Sequence, residues 1–282
     1  MSLSKTVLLG LIAGVTILIG LPIGRLRRPM PTVRAFLNAT AIGILMFLVW
    51  DTLAHAWEPI DAELADYDAG DGSLRTALWY GLLFAIGLGI GLVGLTAYER
   101  GVARLRHRRD VEAPPLLDVE TGPRTWTAAE RTALLIAVGI GLHNFAEGLA
   151  IGESAARSEI ALATLLVVGF ALHNATEGFG IVAPLSADAQ PTDPVPTWGF
   201  LLLMGLIGGG PTVLGSAIGH GFTSDAVSIV FLTLAAGSIV YVVIQLIGVG
   251  LRMARSDLLA WGIFAGLMAG FLTDALVTAA GA

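Results

Sequence analysis

Residues 130–152 read ERTALLIAVGIGLHNFAEGLAIG, and residues 158–183 read SEIALATLLVVGFALHNATEGFGIVA. Each stretch is long enough to cross a bilayer, which takes about 20 mainly apolar residues. Each nevertheless carries His-Asn-x-x-Glu-Gly at mid-span: His143, Asn144, Glu147 and Gly148 in one, and His173, Asn174, Glu177 and Gly178 in the other. Helical residues i and i+4 share a face, so His143 stacks over Glu147 and His173 over Glu177, with each Asn beside its Glu at i+3. A carboxylate at the bilayer centre costs about 2.5–3.5 kcal/mol even on the lenient insertion scale. The two polar stripes therefore require something that compensates them.

The rest of the chain has the same membrane character. Of its 282 residues 55% are hydrophobic and only 13% charged, and the mean hydropathy is +0.78. An ordinary soluble domain carries about 25% charge, so a water-soluble globule is excluded. Cysteine is absent, which removes disulfides, thiolate zinc sites, iron-sulfur clusters and cysteine nucleophiles. The net charge of -6 argues against a nucleic-acid partner. Eight apolar stretches can be marked, at about 6–24, 33–56, 76–98, 130–152, 158–183, 197–220, 225–251 and 257–280. The first is read as a retained helix rather than a signal peptide, because it lacks a cleavage pattern and runs directly into Arg25, Arg27 and Arg28. The expectation is an all-α polytopic membrane protein with eight transmembrane helices, forming a single transmembrane domain over 1–282.

Basic residues fall in alternate loops. Arg25, Arg27, Arg28 and Arg34 lie in the first, Arg100, Arg104, Arg106, Arg108, Arg109, Arg124 and Arg131 in the second, and Arg252 and Arg255 in the third, 13 of the 16 basic residues. Positive loops stay inside, so both termini are expected outside. Residues 99–127 then form a cytoplasmic loop, with one histidine, His107, too few to store metal. The segment from Asp51 to Asp71 contains Glu58, Asp61, Glu63, Asp66 and Asp68 and no Lys or Arg; it reads as a solvated acidic loop on the outer side.

Residues 10–24, GLIAGVTILIGLPIG, align without a gap on 205–219, GLIGGGPTVLGSAIG, and seven of fifteen positions match. The following helices begin FLNATAIG and FLTLAAGS. Spans one and six run in opposite directions, so helices 1–3 and 6–8 would form an inverted repeat, an arrangement that places a transport site near mid-membrane. Shared Gly and Leu richness is the plain alternative. The glycines permit close helix approach, and Pro211 is expected to kink the sixth helix.

A structural His–Glu hydrogen bond between packed helices is one reading of the polar stripes. A metal site is the other: two imidazoles and two carboxylates neutralise a divalent cation and supply four N and O donors. Its recurrence at a 30-residue offset on antiparallel neighbours favours the metal.

Paired HNxxEG motifs in the fourth and fifth of eight spans, with both termini outside, resemble the ZIP (Zrt-, Irt-like protein) family of divalent metal transporters. The resemblance implies a 3+2+3 bundle, uptake of zinc or similar ions toward the cytoplasm, and a metal pathway between helices 4 and 5. By motif position, it implies that His143, Glu147, His173 and Glu177 form the primary site, with Asn144 and Asn174 joined by a bridging Glu177 as the second. It also suggests an elevator-like displacement of helices 1, 4, 5 and 6 against 2, 3, 7 and 8. The sequence departs from the family pattern twice. The proline often found before the motif Glu is Ala146 and Thr176 here, and the Glu that many members place before the proline of helix 6 is Gly210, which removes a carboxylate from the second site.

Other polar groups stay open. His55, one turn after Asp51 and near Glu58, is either an entrance relay or interfacial; His220 is read as interfacial; Gln245 and Asp274 lie inside helices 7 and 8 as functional or merely hydrogen-bonded groups. Trp57, Trp79, Trp126, Trp198 and Trp261 sit near span ends as an aromatic belt. A His and carboxylate site admits zinc, cadmium, iron, manganese and cobalt; zinc is favoured, as transported substrate and not as cofactor. The expected partners are the divalent ion and the lipid bilayer of a prokaryotic inner membrane, with a homodimer left open. The rival class, an intramembrane metal hydrolase, commonly uses HExxH, and neither hexapeptide has that form.

Overall fold

The computed structural model describes residues 1–25, 31–98, 100, 101, 104, 126–156, 160–187, 195–221, 224–252 and 256–279. Among them are helices and no strands. The long helices are α1 (Leu3–Val15), α2 (Pro31–Ala69), α3 (Leu74–Gly89), α4 (Ala128–Ala156), α5 (Ile160–Val182), α6 (Trp198–Gly219), α7 (Asp225–Arg252) and α8 (Ser256–Ala279). Among the described residues, seven helical segments are long and apolar enough to cross a membrane. The 23-residue α5 carries the second polar motif. The chain is thus an all-α polytopic membrane protein. Most of 99–127, including His107 and the arginine run, lies outside the described residues.

Two expectations about local structure are corrected. The first span is not a continuous α-helix: beyond Val15 it tightens into 3₁₀ turns, Thr16–Ile19 and Leu21–Arg25. Pro22 has no N–H to continue the ladder, and the Thr16 hydroxyl donates to the Ala13 carbonyl at 2.6 Å. The acidic segment after Asp51 is not a loop, because α2 continues through it to Ala69. Its Ala, Glu and Leu residues are good helix formers, and Trp57 Nε1 donates to Asp61 Oδ1 one turn on, at 2.7 Å. Gly70, at φ +88°, ends the helix. Asp71 N–H reaches Asp66 O at 3.0 Å and Gly70 N–H reaches Tyr67 O at 3.1 Å. This paired capping pattern needs a residue that tolerates positive φ.

Helix α4 lies at the centre. Thr127 and Glu130 start it with a reciprocal cap: Glu130 N–H donates to Thr127 Oγ1 at 3.1 Å and Thr127 N–H to Glu130 Oε2 at 2.8 Å. Ala133, Ile136, Ala137, Ile140 and Ile151 are fully buried, and the polar His143, Asn144 and Glu147 are buried with them. It packs on α5, α6, α7 and α1.

The remaining contacts fall into matching sets. Helix α2 packs on α8 as α7 packs on α3, while α1 meets α6 and α2 meets α7. The closest approaches repeat this pattern. Gly14 abuts the Gly209 carbonyl and Gly209 the Gly14 carbonyl, and these are aligned residues of the repeat. Gly20 faces Gly178 on α5 as Gly215 faces Gly148 on α4. Gly43 pairs with Gly266, and Gly237 with Gly91. The aligned residues thus hold matching places in the packing. Pro211 lies inside a continuous α6, its ring against Gly141 of α4.

Candidate metal centre

The two polar stripes meet between α4 and α5. One donor atom each of His143, His173 and Glu177 lies within 4.8 Å of the others. Glu147 joins through Oε1, which lies 2.9 Å from His143 Nε2 and accepts from His173 Nε2 at 2.5 Å. His143, Glu147 and Glu177 are buried, and His173 keeps 13% of its side chain exposed. All four residues expected to form a primary site thus converge, although they come from two helices and two motifs.

Both asparagines are completely buried beside this cluster. Asn144 Nδ2 donates to Glu177 Oε2 at 3.2 Å and to the Gly208 carbonyl of α6 at 3.0 Å. Asn174 Nδ2 donates to the Ala13 carbonyl of α1 at 3.1 Å. Asn144 Oδ1, Asn174 Oδ1, Glu147 Oε2 and Glu177 Oε1 are buried acceptors without a hydrogen-bond partner. Native interiors rarely leave such groups unpaired, so a concentration of them calls for an explanation. A divalent cation supplies one: it satisfies oxygen acceptors directly, and two carboxylates cancel its charge.

The Thr176 hydroxyl donates to the His173 carbonyl at 2.7 Å. Gly210 lies on the lipid-facing stripe of α6 with Leu206, 67% exposed, and Leu214, 62% exposed, one turn to either side. A longer side chain there would point away from the cluster. The residue that sequence reasoning overlooked on α6 is Thr212, fully buried with an unpartnered hydroxyl and packed at Gly14. A threonine in an apolar helix gives no local signal of this; the packing of α1 and α4 on α6 buries it.

The remaining polar expectations divide. His55 is 58% exposed, its Nδ1 2.9 Å from the Asp51 carbonyl of its own helix. Asp274 of α8 lies within electrostatic range of Asp51 and His55, and Asp51 within range of His143 and Glu147. His220 Nδ1 lies 3.2 Å from Thr6 Oγ1, joining the ends of α1 and α6. Gln245 is half-buried on α7. Trp57, Trp79, Trp198 and Trp261 are exposed, as a belt at the membrane interface requires.

No curated protein matches the chain. The family described as ZIP Zinc transporter matches residues 115–272, a segment that contains both hexapeptides and α6 and α7. With that match covering more than half of the chain, and His and Glu side chains converging between the fourth and fifth helices of an all-α membrane bundle, the chain belongs to the ZIP zinc transporter family and is a transporter of divalent metal ions.

Proposed function

We propose that this protein takes up zinc toward the cytoplasm by alternating access, with cadmium as a surrogate and iron, manganese and cobalt also admitted. The observation that carries the reading is the cluster of His143, His173 and Glu177, closed by Glu147, in the buried middle of α4 and α5. A hydrated ion entering from outside exchanges water for these ligands and leaves inward when the helices shift. Asn144, Asn174 and Glu177 form a second position, supported by their unpartnered buried oxygens. Both termini lie outside, a reading supported by the basic residues in alternate loops, and the membrane is a prokaryotic inner membrane.

The moving part is α1, α4, α5 and α6 against α2, α3, α7 and α8. Within each group α4 and α1 both lie on α6 while α2 lies on α8 and α3 on α7, and the two groups meet chiefly where α4 packs on α7, the contact along which they would slide. The decisive experiment is zinc and cadmium uptake into proteoliposomes by wild type and by His143→Ala. Uptake lost in the variant is expected, and uptake equal to wild type would overturn the reading.

Protons compete for the same ligands, because imidazole nitrogen and carboxylate oxygen bind metal only when deprotonated. Loading then releases protons, and uptake should be slower from an acid outside medium than from a neutral one. Flux measured from the two media checks this. A rate independent of pH would contradict it.

A further inference from the structure

The two asparagine amides make the same bond twice. Asn144 Nδ2 donates to Gly208 O on α6 and Asn174 Nδ2 to Ala13 O on α1, at 3.0 and 3.1 Å. The asparagines hold equivalent places in the two hexapeptides. Their acceptors are equivalent too, because Ala13 aligns on Gly208 in the ungapped match of 10–24 with 205–219. Both side chains are completely buried. A chance polar contact would have no reason to obey the register of a repeat found elsewhere in the chain.

The acceptors are also unusual carbonyls. Ala13 O sits where α1 gives way to 3₁₀ turns and already receives the Thr16 hydroxyl. Gly208 opens a run of three glycines before Pro211, whose missing N–H is the one that would have reached the neighbouring Ile207 carbonyl. Each carbonyl thus lies next to an irregular position of its helix, the 3₁₀ turns after Val15 in one case and the site of Pro211 in the other.

We infer that Asn144 and Asn174 are positioning residues that latch the metal-bearing helices to their flanking helices, α4 to α6 and α5 to α1, through amide-to-carbonyl bonds related by the inverted repeat. The latch uses the Nδ2 end of each amide and leaves the Oδ1 end available, so it sets the direction of that oxygen. On the α4 side the second Nδ2 hydrogen reaches Glu177 Oε2 at 3.2 Å, so one residue holds both a neighbouring helix and a ligand on α5. The latch makes α1 and α6 follow α4 and α5 when the site shifts. This role deepens the transport reading and rests on it for its effect on rate, but the bonds themselves do not depend on metal.

The chain in lipid nanodiscs, compared by hydrogen exchange with Asn174→Asp and Asn144→Ala, tests the pairing. Losing a latch should speed exchange roughly tenfold in the helix it holds, by easing local opening there. Asn174→Asp should loosen residues 10–25 and leave 205–219 unchanged, and Asn144→Ala should do the reverse. Asn174→Ala, expected to behave like Asn174→Asp here, replaces it if the aspartate does not fold. Exchange unchanged in both variants, or both helices loosened by either one, would overturn the latch.

Cadmium flux, scaled to the amount of folded protein in the liposomes so that simple destabilisation does not move it, adds a second measure. Asn174→Asp keeps the ligand oxygen but loses the donor, so the maximal rate should fall roughly tenfold whatever the added charge does to the half-saturating concentration. A wild-type maximal rate with altered half-saturation would make Asn174 a ligand only. Calorimetric cadmium binding by wild type is measured alongside: absence of binding would defeat the transport reading and leave the exchange result standing.

Discussion

Glu177→Ala is expected to reduce cadmium uptake into proteoliposomes at least about a hundredfold, because removing one partner of a buried charge pair leaves the other uncompensated at a cost of about 3–5 kcal/mol. Glu177 is almost fully buried and supplies one of the three donor atoms that lie within 4.8 Å of each other. Without it the site holds a doubly charged ion against a single carboxylate, Glu147. Glu177→Gln separates charge from shape. Glutamine keeps an oxygen to accept the bond from Asn144 Nδ2, so the fold persists while the negative charge is lost. Flux should be as low in this variant as in the alanine. A glutamine variant that transports normally would show that charge compensation is not what the carboxylate supplies. The same pair separates the rival readings: a hydrolase would leave flux indifferent to either change, whereas a metal used only as a staple would make both variants unfold.

The second large effect concerns packing. Gly14→Ala should lower the apparent melting temperature in detergent by about 5–10 °C, from overpacking of about 2–3 kcal/mol. A Cβ at Gly14 would strike the Gly209 carbonyl on α6, and Thr212 Cβ lies only 3.3 Å from it. The obstacle is backbone, which has no rotamer to yield. Gly210→Ala is the control, since its Cβ would meet only the flexible end of Leu206, at 3.4 Å. That change should stay within about 0.5 kcal/mol. Equal melting of the two variants would mean that α1 and α6 do not cross at Gly14.

Much of the architecture was legible in the chain because a bilayer simplifies the problem. With no water to satisfy backbone groups, an apolar run of sufficient length has to be a helix. Eight runs, with a polar hexapeptide in the fourth and fifth, were enough to place the helices and the His and Glu cluster. Local signals failed where a neighbour decided the outcome. The acidic stretch after Asp51 reads as loop by charge, yet α2 carries its helix through it to the cap at Gly70. The first span reads as one helix, yet beyond Val15 it tightens where Gly20 presses on Gly178 of α5.

The site divides in the same way. The sequence by itself determined which side chains are ligand types and that each His shares a helical face with its Glu, since both follow from the fixed rise and turn of a helix. Only the tertiary structure decided that His173 of α5 would bond Glu147 of α4, that the amides of Asn144 and Asn174 would be taken by carbonyls of α6 and α1, and that Gly210 would face outward while Thr212 faced in. These outcomes depend on how far one helix is rotated and slid against another. That is set by the fit of many small residues at the crossings, among them Gly14 on Gly209 and Gly20 on Gly178, and no local stretch of sequence records it.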